Sequence, residues 1–563
     1  MQRTVLAVVH NVTAATRLFD VLPVVATDPR VQVLFSTPGS SAFPAGIAEY
    51  LAARGITVLP WKRALDLPVD LAISASLGGD LHEINAPLLV VPHGMGYNKY
   101  LARKPETGNR KPETGSPVFG LSAPWLVHDG RVVPSILVLS HAEQLDRLRI
   151  ACPEAVGAAR VAGDPCFDRI LASLPLRESY RQAFGVAPGQ RLIVISSTWG
   201  RYSLYGGNPN LIQTLARRLP VDSYRIAVAL HPNITHGHSR WQVRNWLAQC
   251  ARDGVLVLDD EDDWRPALVA ADLIVGDHGS VTFYAAALGA PILLASAPAH
   301  TIDPRSPIAA LLRAAPRFDE ADPLGCVERT IAGHDPNRYA EITALTTSCP
   351  GEAAIRLRRA CYELLELRPP TSAAPPVAAL PTPTGRFVPP RATLVTVELG
   401  ETSTERLCAT VNRWPAGSVD TPELMPQDAH LVVDADGPLT GMLAMADIVV
   451  HRAPREADRD ADRDADRWVA RTLRALPGCL LALARDRDRD CWLLGTADGG
   501  RVRLRTRCRN APVFASVLYA WLTAGHPIDA LPTELLVRPA LTQSSSDSLC
   551  WTATARAENP RVS

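Results

Sequence analysis

The chain has 563 residues with 58 Lys plus Arg against 58 Asp plus Glu, so its formal net charge is zero. That balance gives no sign of nucleic-acid binding, which goes with a basic excess. Hydrophobic residues at 47% and charged residues at 21% are an ordinary globular balance. At roughly 150 residues per domain, three or four folding units are expected.

Thr4–Val9 is apolar but too short for a secretory core, and no stretch reaches the ~20 apolar residues that cross a bilayer. The eleven Cys include no Cys-x-x-Cys pair, which suits reduced thiols in a cytosol. A cytoplasmic location is expected. A peripheral contact with the inner face of the membrane stays compatible, since it needs no spanning segment.

In chain order, Val5–Val9 reads as a strand, Thr13–Val25 as a helix, Val31–Phe35 as a strand and Phe43–Ala53 as a helix. Ile56–Leu59, Leu71–Ser74, Leu88–Val91 and Ile136–Leu139 are further strands, followed by the helix Ala142–Ala151. Continuous apolar strands separated by helices predict a parallel sheet covered on both faces.

A second such set begins near Gly189, with strands Leu192–Ser196, Ile226–Leu230, Val255–Leu258, Leu273–Val275 and Ile292–Leu294. Helices Leu211–Arg218, Trp241–Arg252 and Thr282–Leu288 lie between them, and Ala353–Glu366 closes the set. The expected fold class is α/β, with one Rossmann-like lobe over 1–160 on the acceptor side, a second over 161–368 on the nucleotide donor side and a cleft between them.

Residues 369–390 are Pro-rich and read as a linker. An accessory α/β or α+β unit is expected over 391–540, with strands Thr393–Val397, His430–Val433 and Ile448–Val450 and the helix Trp468–Leu476. Cys491–Leu494 and Arg501–Leu504 flank Asp498-Gly499-Gly500 as a hairpin, and 541–563 reads as a flexible tail. The tandem repeat at 103–116 and the Ala-Asp-Arg-Asp tract at 457–467 read as solvated segments.

Open α/β sheets bind ligands beyond the carboxyl ends of their strands, so candidate residues are sought there. His93 and Gly94 follow Leu88–Val91, with Lys99 just beyond. His93 is either a general base or a loop cap. Ser197 and Thr198 follow Leu192–Ser196 and either bond phosphate oxygens or cap a turn. His231 and Pro232 end Ile226–Leu230, and a metal site with His236 and His238 lacks ligands at the usual spacing. Asp277-His278-Gly279-Ser280 leads into a helix at Thr282, whose N-terminus favours an anion; an ordinary capped helix is the alternative. Asp434-Ala435-Asp436 reads as a polar turn.

These segments, in this order, resemble the CDP-glycerol glycerophosphotransferase family of teichoic acid polymerases. The matching residues are His93, Gly94 and Lys99; Gly163-Asp164-Pro165 with Phe167-Asp168; Thr198-Trp199; His231-Pro232; and Asp277 with Ser280. Where that family has Tyr-Ser, this chain has His278-Gly279, and Gly200 precedes Arg201.

The resemblance implies a two-lobed GT-B-type transferase. It would move a polyol phosphate from a CDP-linked donor to an acceptor hydroxyl, on a polymer or lipid-linked acceptor in cell-wall or surface polymer synthesis. His93 would act as base. Gly94, Lys99, Ser197, Thr198, His231, Asp277, Gly279, Ser280 and Thr282 would form the substrate site, with neither metal nor cofactor. A nucleotide-sugar glycosyltransferase or epimerase on the same fold, and a non-catalytic nucleotide-binding scaffold, are the alternatives.

Overall fold

The structure, a computed structural model, describes residues 1–41, 45–101, 116–259, 261–385, 387–417, 428–437, 440–452, 465–486, 489–508, 510–540 and 550–558. The 103–116 repeat falls almost wholly outside these residues, as does the 457–464 part of the charge tract.

The first lobe is a seven-stranded parallel sheet. Its strands are β1 (Arg3–Val8), β2 (Val31–Ser36), β3 (Val58–Leu59), β4 (Leu71–Ser74), β5 (Leu88–Val90), β6 (Ile136–Leu139) and β7 (Ala159–Val161), in the order β3-β2-β1-β4-β5-β6-β7. Val5, Leu6, Ala7 and Val8 are all fully buried, as a central parallel strand with two covered faces requires. Helix α1 (Val12–Val21) follows β1, capped by the Asn11 side chain on the Ala14 N–H. Of the strands in this sheet, sequence reading misses β7, a three-residue edge strand whose residues are all partly exposed or exposed.

Helices α2 (Pro165–Ala172) and α3 (Arg177–Ala183) lead to the second lobe. Its sheet has β8 (Arg191–Ser197), β9 (Tyr224–Leu230), β10 (Leu256–Val257), β11 (Leu273–Gly276) and β12 (Ile292–Leu294), all parallel in the order β10-β9-β8-β11-β12. Around them lie α4 (Leu211–Arg218), α5 (Pro232–His238), α6 (Trp264–Ala270) and α7 (Ser280–Ala287). Helix α8 (Ala353–Leu364) closes back onto the first lobe, with Leu357 and Cys361 in that lobe's core. Both sheets are doubly wound. Their topological switch points lie between β1 and β4 and between β8 and β11.

A buried ionic network joins the lobes. Asp20 on α1 accepts 3.0 Å hydrogen bonds at both carboxylate oxygens from Arg265 on α6, and a third of 2.7 Å from Arg169 on α2. Arg17, one turn earlier, donates to the Tyr284 hydroxyl on α7 at 3.3 Å, and that hydroxyl donates to Asp164. Asp164 also caps α2 through the Cys166 and Phe167 N–H groups, while Asp168 accepts from Gly351 and Ala353 at the start of α8. The Gly163-Asp164-Pro165 and Phe167-Asp168 element is thus a structural joint. Removing one partner of a buried ion pair leaves the others uncompensated. Asp20→Ala should therefore lower stability by about 3–5 kcal/mol in urea unfolding, against less than about 1 kcal/mol for the exposed pair partner Glu352→Ala.

The Pro-rich segment 369–390 is a packed strap. Pro370 and Ser372 carbonyls accept from Arg358 of α8, and Leu380 sits in the second lobe's core. The Leu380 N–H donates to Ser173 Oγ, and its carbonyl accepts from the Tyr180 hydroxyl at 2.6 Å. Proline repeats lack donors, but their carbonyls remain free to accept, which is how this strap is held. A fragment ending at 368 loses the Leu380 contact, worth about 1.5–3 kcal/mol. It should melt clearly below a fragment ending at 390 in calorimetry.

Beyond the strap lies a closed nine-stranded barrel. Its strands are β13 (Ala392–Thr402), β14 (Arg406–Pro415), β15 (His430–Asp434), β16 (Ile448–His451), β17 (Leu481–Asp486), β18 (Cys491–Thr496), β19 (Arg501–Arg505), β20 (Glu534–Pro539) and β21 (Trp551–Glu558). They close in the order β13-β14-β20-β21-β19-β18-β17-β16-β15. Helix α9 (Ala465–Ala475) sends Trp468 and Val469 into one of its cores. Helix α10 (Pro512–Thr523) sends Phe514, Val517 and Trp521 into the other.

The hairpin of β18 and β19 is present. The tail expected to be flexible supplies β21, paired with both β19 and β20. Its inward residues Ala553 and Ala555 are small, so the alternation is faint in sequence. Asp434 pairs with Arg391 at 2.8 Å and Arg452 at 3.2 Å, and its carbonyl accepts from Gly437, so Asp434-Ala435-Asp436 is a turn. The barrel docks on the second lobe through Arg413, which grips the Asp222 carboxylate by Nε at 2.8 Å and by its guanidinium end at 2.5 Å.

Candidate active site

The carboxyl edges of both sheets meet through the segment after β5. The Met95 N–H donates to Ser280 Oγ at 3.0 Å, the Asp303 N–H to the Asn98 carbonyl at 2.9 Å, and the Tyr100 N–H to the Thr301 carbonyl at 3.0 Å. Lys99 forms an antiparallel bridge with Ile302. Arg147 ties the same segment down by bonding the Tyr97 carbonyl and pairing with Asp303 at 3.4 Å. The 93–100 segment therefore belongs to the first lobe by connection and to the second by contact.

Asp277, at the end of β11, organises the second lobe's edge. One carboxylate oxygen accepts from the Thr198 N–H at 2.8 Å, the Thr198 hydroxyl at 2.8 Å and the Leu204 N–H at 3.0 Å. The other accepts from the Gly279 N–H at 3.1 Å. Burial pushes this carboxyl's pKa up, against the pull of the Leu204 and Thr198 bonds and of the Lys99 charge. Asp277 locks the loops after β8 and β11 together and leaves Gly279 as the N-cap of α7.

Helix α7 starts two residues earlier than sequence periodicity suggests, so Ser280 is its first residue and no side chain caps it. The Ser280 oxygen, expected on a diphosphate, accepts from the other lobe, while its own hydroxyl hydrogen stays available to donate. Thr282 lies buried behind the edge: a Cβ on Gly276 would stand 2.2 Å from its Oγ1. Ser197 is likewise withdrawn, donating to the Thr198 carbonyl and accepting from the Tyr205 N–H, both at 2.9 Å. Thr198's hydroxyl hydrogen is spent on Asp277.

The two glycines expected to admit a ligand instead admit side chains. A Cβ on Gly94 would stand 2.6 Å from Ser280 Oγ, and one on Gly279 would stand 2.7 Å from the Thr198 methyl.

Near this edge a set of imidazoles, those of His93, His231 and His278, feels the charge of the Lys99 ammonium. His231 caps α5, its Nδ1 accepting from the Asn233 N–H at 3.1 Å. The neutral ring's proton is thereby on Nε2. Burial, with the charges of Lys99 and His93, holds its pKa down to about 3. His93 keeps an open face; the protein around it, with Lys99, Arg17 and His10, brings its pKa down to about 4. Its carbonyl accepts from Arg17 Nε at 3.1 Å and its ring meets Phe119 edge-on at 5.7 Å. Burial also lowers Lys99, against the opposing charge of Asp277.

His236 and His238 turn away from His231. His236 faces Glu261 at 3.3 Å and packs on Gly46, while His238 meets Trp246. Among the described residues no group of three or more His, Cys, Asp or Glu side chains is placed to hold a metal ion.

Two residues that sequence reasoning passed over stand here. His278 is 6% exposed with Nδ1 unpartnered, and it feels the charges of Lys99 and His300. The signal is present in sequence, since it stands two residues beyond the end of β11. His10, just beyond β1, is the other.

No protein-family model and no curated protein matches the chain. Among solved structures it is similar to the wall teichoic acid polymerase TagF, at 12% identity over 65% of this chain and 88% of that one, with a TM-score of 0.41. It is also similar to UDP-GlcNAc 2-epimerase from Neisseria meningitidis bound to UDP-GlcNAc, at 13% identity over 64% and 99% with a TM-score of 0.40. A glycosyltransferase from Rickettsia africae ESF-5 gives 13% identity over 65% and 98%, with a TM-score of 0.38.

The lowered histidines have a consequence for stability. A group whose folded pKa lies below its unfolded value near 6.5 binds more protons when unfolded, so stability rises with pH through that window. The contribution of His93 and His231 is complete above pH ~6.5 and is lost as pH falls towards their folded values of about 4 and 3. Urea unfolding of the double variant His93→Gln, His231→Asn should lose less stability between pH ~6.5 and ~4 than the wild type.

Proposed function

We propose that this chain is a transferase that binds a nucleotide-diphosphate-linked donor in the crevice and passes a polyol phosphate from CDP to an acceptor hydroxyl. One observation carries the reading. Lys99 is partly buried, its ammonium has no hydrogen-bond or ion-pair partner among the described residues, and it lies within electrostatic reach of His93, His231, His278 and Asp277. A cation in such a place calls for an anion. The uncapped start of α7 adds about half a positive charge on the same side. The cytidine and polyol assignments rest on the order of the matched residues His93, Gly94, Lys99, Thr198, His231, Asp277 and Ser280, as does a polymer or lipid-linked acceptor.

In this mechanism Lys99, the His231 Nε2–H, the Ser280 hydroxyl and the α7 N-terminus hold the donor's diphosphate oxygens. The acceptor oxygen attacks the polyol-bearing phosphorus. The bond from that phosphorus to the bridging oxygen breaks, and CMP leaves with both electrons. His93 takes the acceptor's proton and later releases it to water. Asp277 stays out of contact with phosphate and keeps Thr198 and Gly279 in place.

A thermal-shift panel of CDP, UDP, GDP and ADP on the full chain tests the donor. CDP should raise the melting temperature most, and Lys99→Met should weaken CDP binding by about tenfold or more, as loss of a charge-assisted bond does. Equal shifts from all four nucleotides would set the cytidine assignment aside.

The base makes a separate prediction. His93 works while neutral, so kcat/KM should lose activity on the acid side near pH 4–5, well below the ordinary histidine value. His93→Ala should lower turnover by roughly 10²–10⁴-fold with little change in CDP affinity.

A further inference from the structure

A cavity of about 500 Å³ lies under the start of the strap. One wall is the turn that leads into β2, with Asp28 and Arg30. A second is α8, with Arg358 and Tyr362, and the strap from Arg368 onward forms the roof. The turn precedes β2, so the cavity sits at the amino-terminal edge of the first sheet, opposite the edge that carries His93. Its mouth is open, since Arg368, Pro369, Thr371 and Ser372 are exposed, while Val24 beneath is buried.

Three guanidiniums line this space against one carboxylate. Asp28 is fully engaged: it accepts from Arg30 Nε at 3.0 Å, from Arg30 Nη2 at 2.7 Å and from the Tyr362 hydroxyl at 2.7 Å. The Arg30 bonds hold its carboxyl well below the usual carboxylate range, so it stays ionised. Arg30 Nη2 also donates to the Arg368 carbonyl at 3.0 Å, and Nη1 is left without a partner among the described residues.

The other two cations have no counter-ion. Arg358 is 9% exposed, and its hydrogen bonds go to the Ser372 and Pro370 carbonyls at 2.8 and 2.9 Å. Carbonyls satisfy its hydrogens and leave its charge unbalanced. The Arg368 side chain has no hydrogen-bond or ion-pair partner among the described residues. The charges of Arg358 and Arg30 both reach the Tyr362 hydroxyl, so they converge on one place. A buried charge without a counter-ion calls for an opposite one, and guanidinium forks match the oxygens of a phosphate. A space of this size holds a whole small molecule, and Val24, Pro29, Pro370 and Pro375 give it apolar walls.

We propose that this cavity binds a phosphate monoester with a compact apolar body. The phosphate lies among Arg368, Arg30 Nη1 and Arg358, and the body lies against Val24 and the prolines. The site is separate from the crevice and stands whether or not the donor reading holds. A ligand there joins the β2 turn, α8 and the strap, and so fastens the strap to the first lobe.

Phenyl phosphate is the probe, with inorganic phosphate and phenol as controls. Each is titrated by calorimetry into the full chain carrying Lys99→Met, which removes the cation of the crevice. Phenyl phosphate should bind more tightly than inorganic phosphate, and phenol should not bind. Adding Arg368→Gln, which breaks no bond of the fold, should weaken phenyl phosphate about tenfold or more, as loss of a charge-assisted bond does. Arg368→Lys should recover part of that loss. Phenyl phosphate should also raise the melting temperature of the wild type and leave that of Arg368→Gln unchanged. No binding, or binding that Arg368→Gln leaves intact, overturns the proposal, and equal affinity for phenyl phosphate and inorganic phosphate overturns the apolar body. With Lys99 restored, Arg368→Gln should keep CDP affinity within about twofold of the wild type; a parallel loss of CDP would place Arg368 in the donor site and defeat the proposal. A chain that binds phenyl phosphate in this way but no CDP sinks the donor reading alone.

Discussion

The geometry of this protein depends on one buried carboxylate, Asp20. Its side chain is fully enclosed and shared by Arg265 and Arg169, with Arg17 3.8 Å away. Taking such charges out of water is costly, and their attraction offsets that cost only when hydrogen bonds satisfy the remaining atoms. Both Asp20 oxygens are satisfied from residues on α2 and α6, so the arrangement of charges is favourable in only one relative placement of the lobes. Arg17 extends the same restraint through Tyr284 to Asp164, and Asp164 caps α2.

With the lobes held so, the residues of the proposed site divide into those already partnered within the protein and those that are not. Asp277, Thr198 and Gly279 are bonded to one another, Ser197 bonds the Thr198 carbonyl and the Tyr205 N–H, and Gly94 packs against Ser280. They look like ligand residues in sequence because tight turns at strand ends use the same small and hydroxyl-bearing types that phosphate sites use. Lys99 and the imidazoles of His93, His231, His278 and His10 are the groups left with unmet hydrogen-bonding or charge demands.

Much of the two-lobed α/β architecture was legible because buried parallel strands are short and continuously apolar: Leu71–Ser74 and Leu273–Gly276 stand out without any alignment. The barrel was less so. β14 alternates buried and half-buried residues, and β21 buries only Ala553 and Ala555 fully beside a half-buried Trp551, so neither stands out from its surroundings. In sequence the strap reads as a linker because prolines remove donors, yet Arg358 and Tyr180 donate to its carbonyls and Ser173 Oγ accepts from its Leu380 N–H. At the site, sequence located the strand ends but not the partners, and only partners separate Ser197 from Ser280 or reveal His10. A histidine at the end of the first strand is visible in sequence; that its tautomer is set by a carbonyl 68 residues later is not.

The barrel's docking point has a directional consequence. Arg413 reaches Asp222, and the Val221 N–H donates to the Arg413 carbonyl, in the loop that enters β9. Pro390 lies against Gly254, just before β10. These are the amino-terminal ends of β9 and β10; His231 follows the other end of β9, on the same edge of the sheet as Thr198 after β8. Whatever grips the barrel, whether a second protein or an engineered tether, holds the molecule by its back. A long chain threaded into the crevice would then have a clear approach, and anchoring and threading could proceed at once without competing for the same surface.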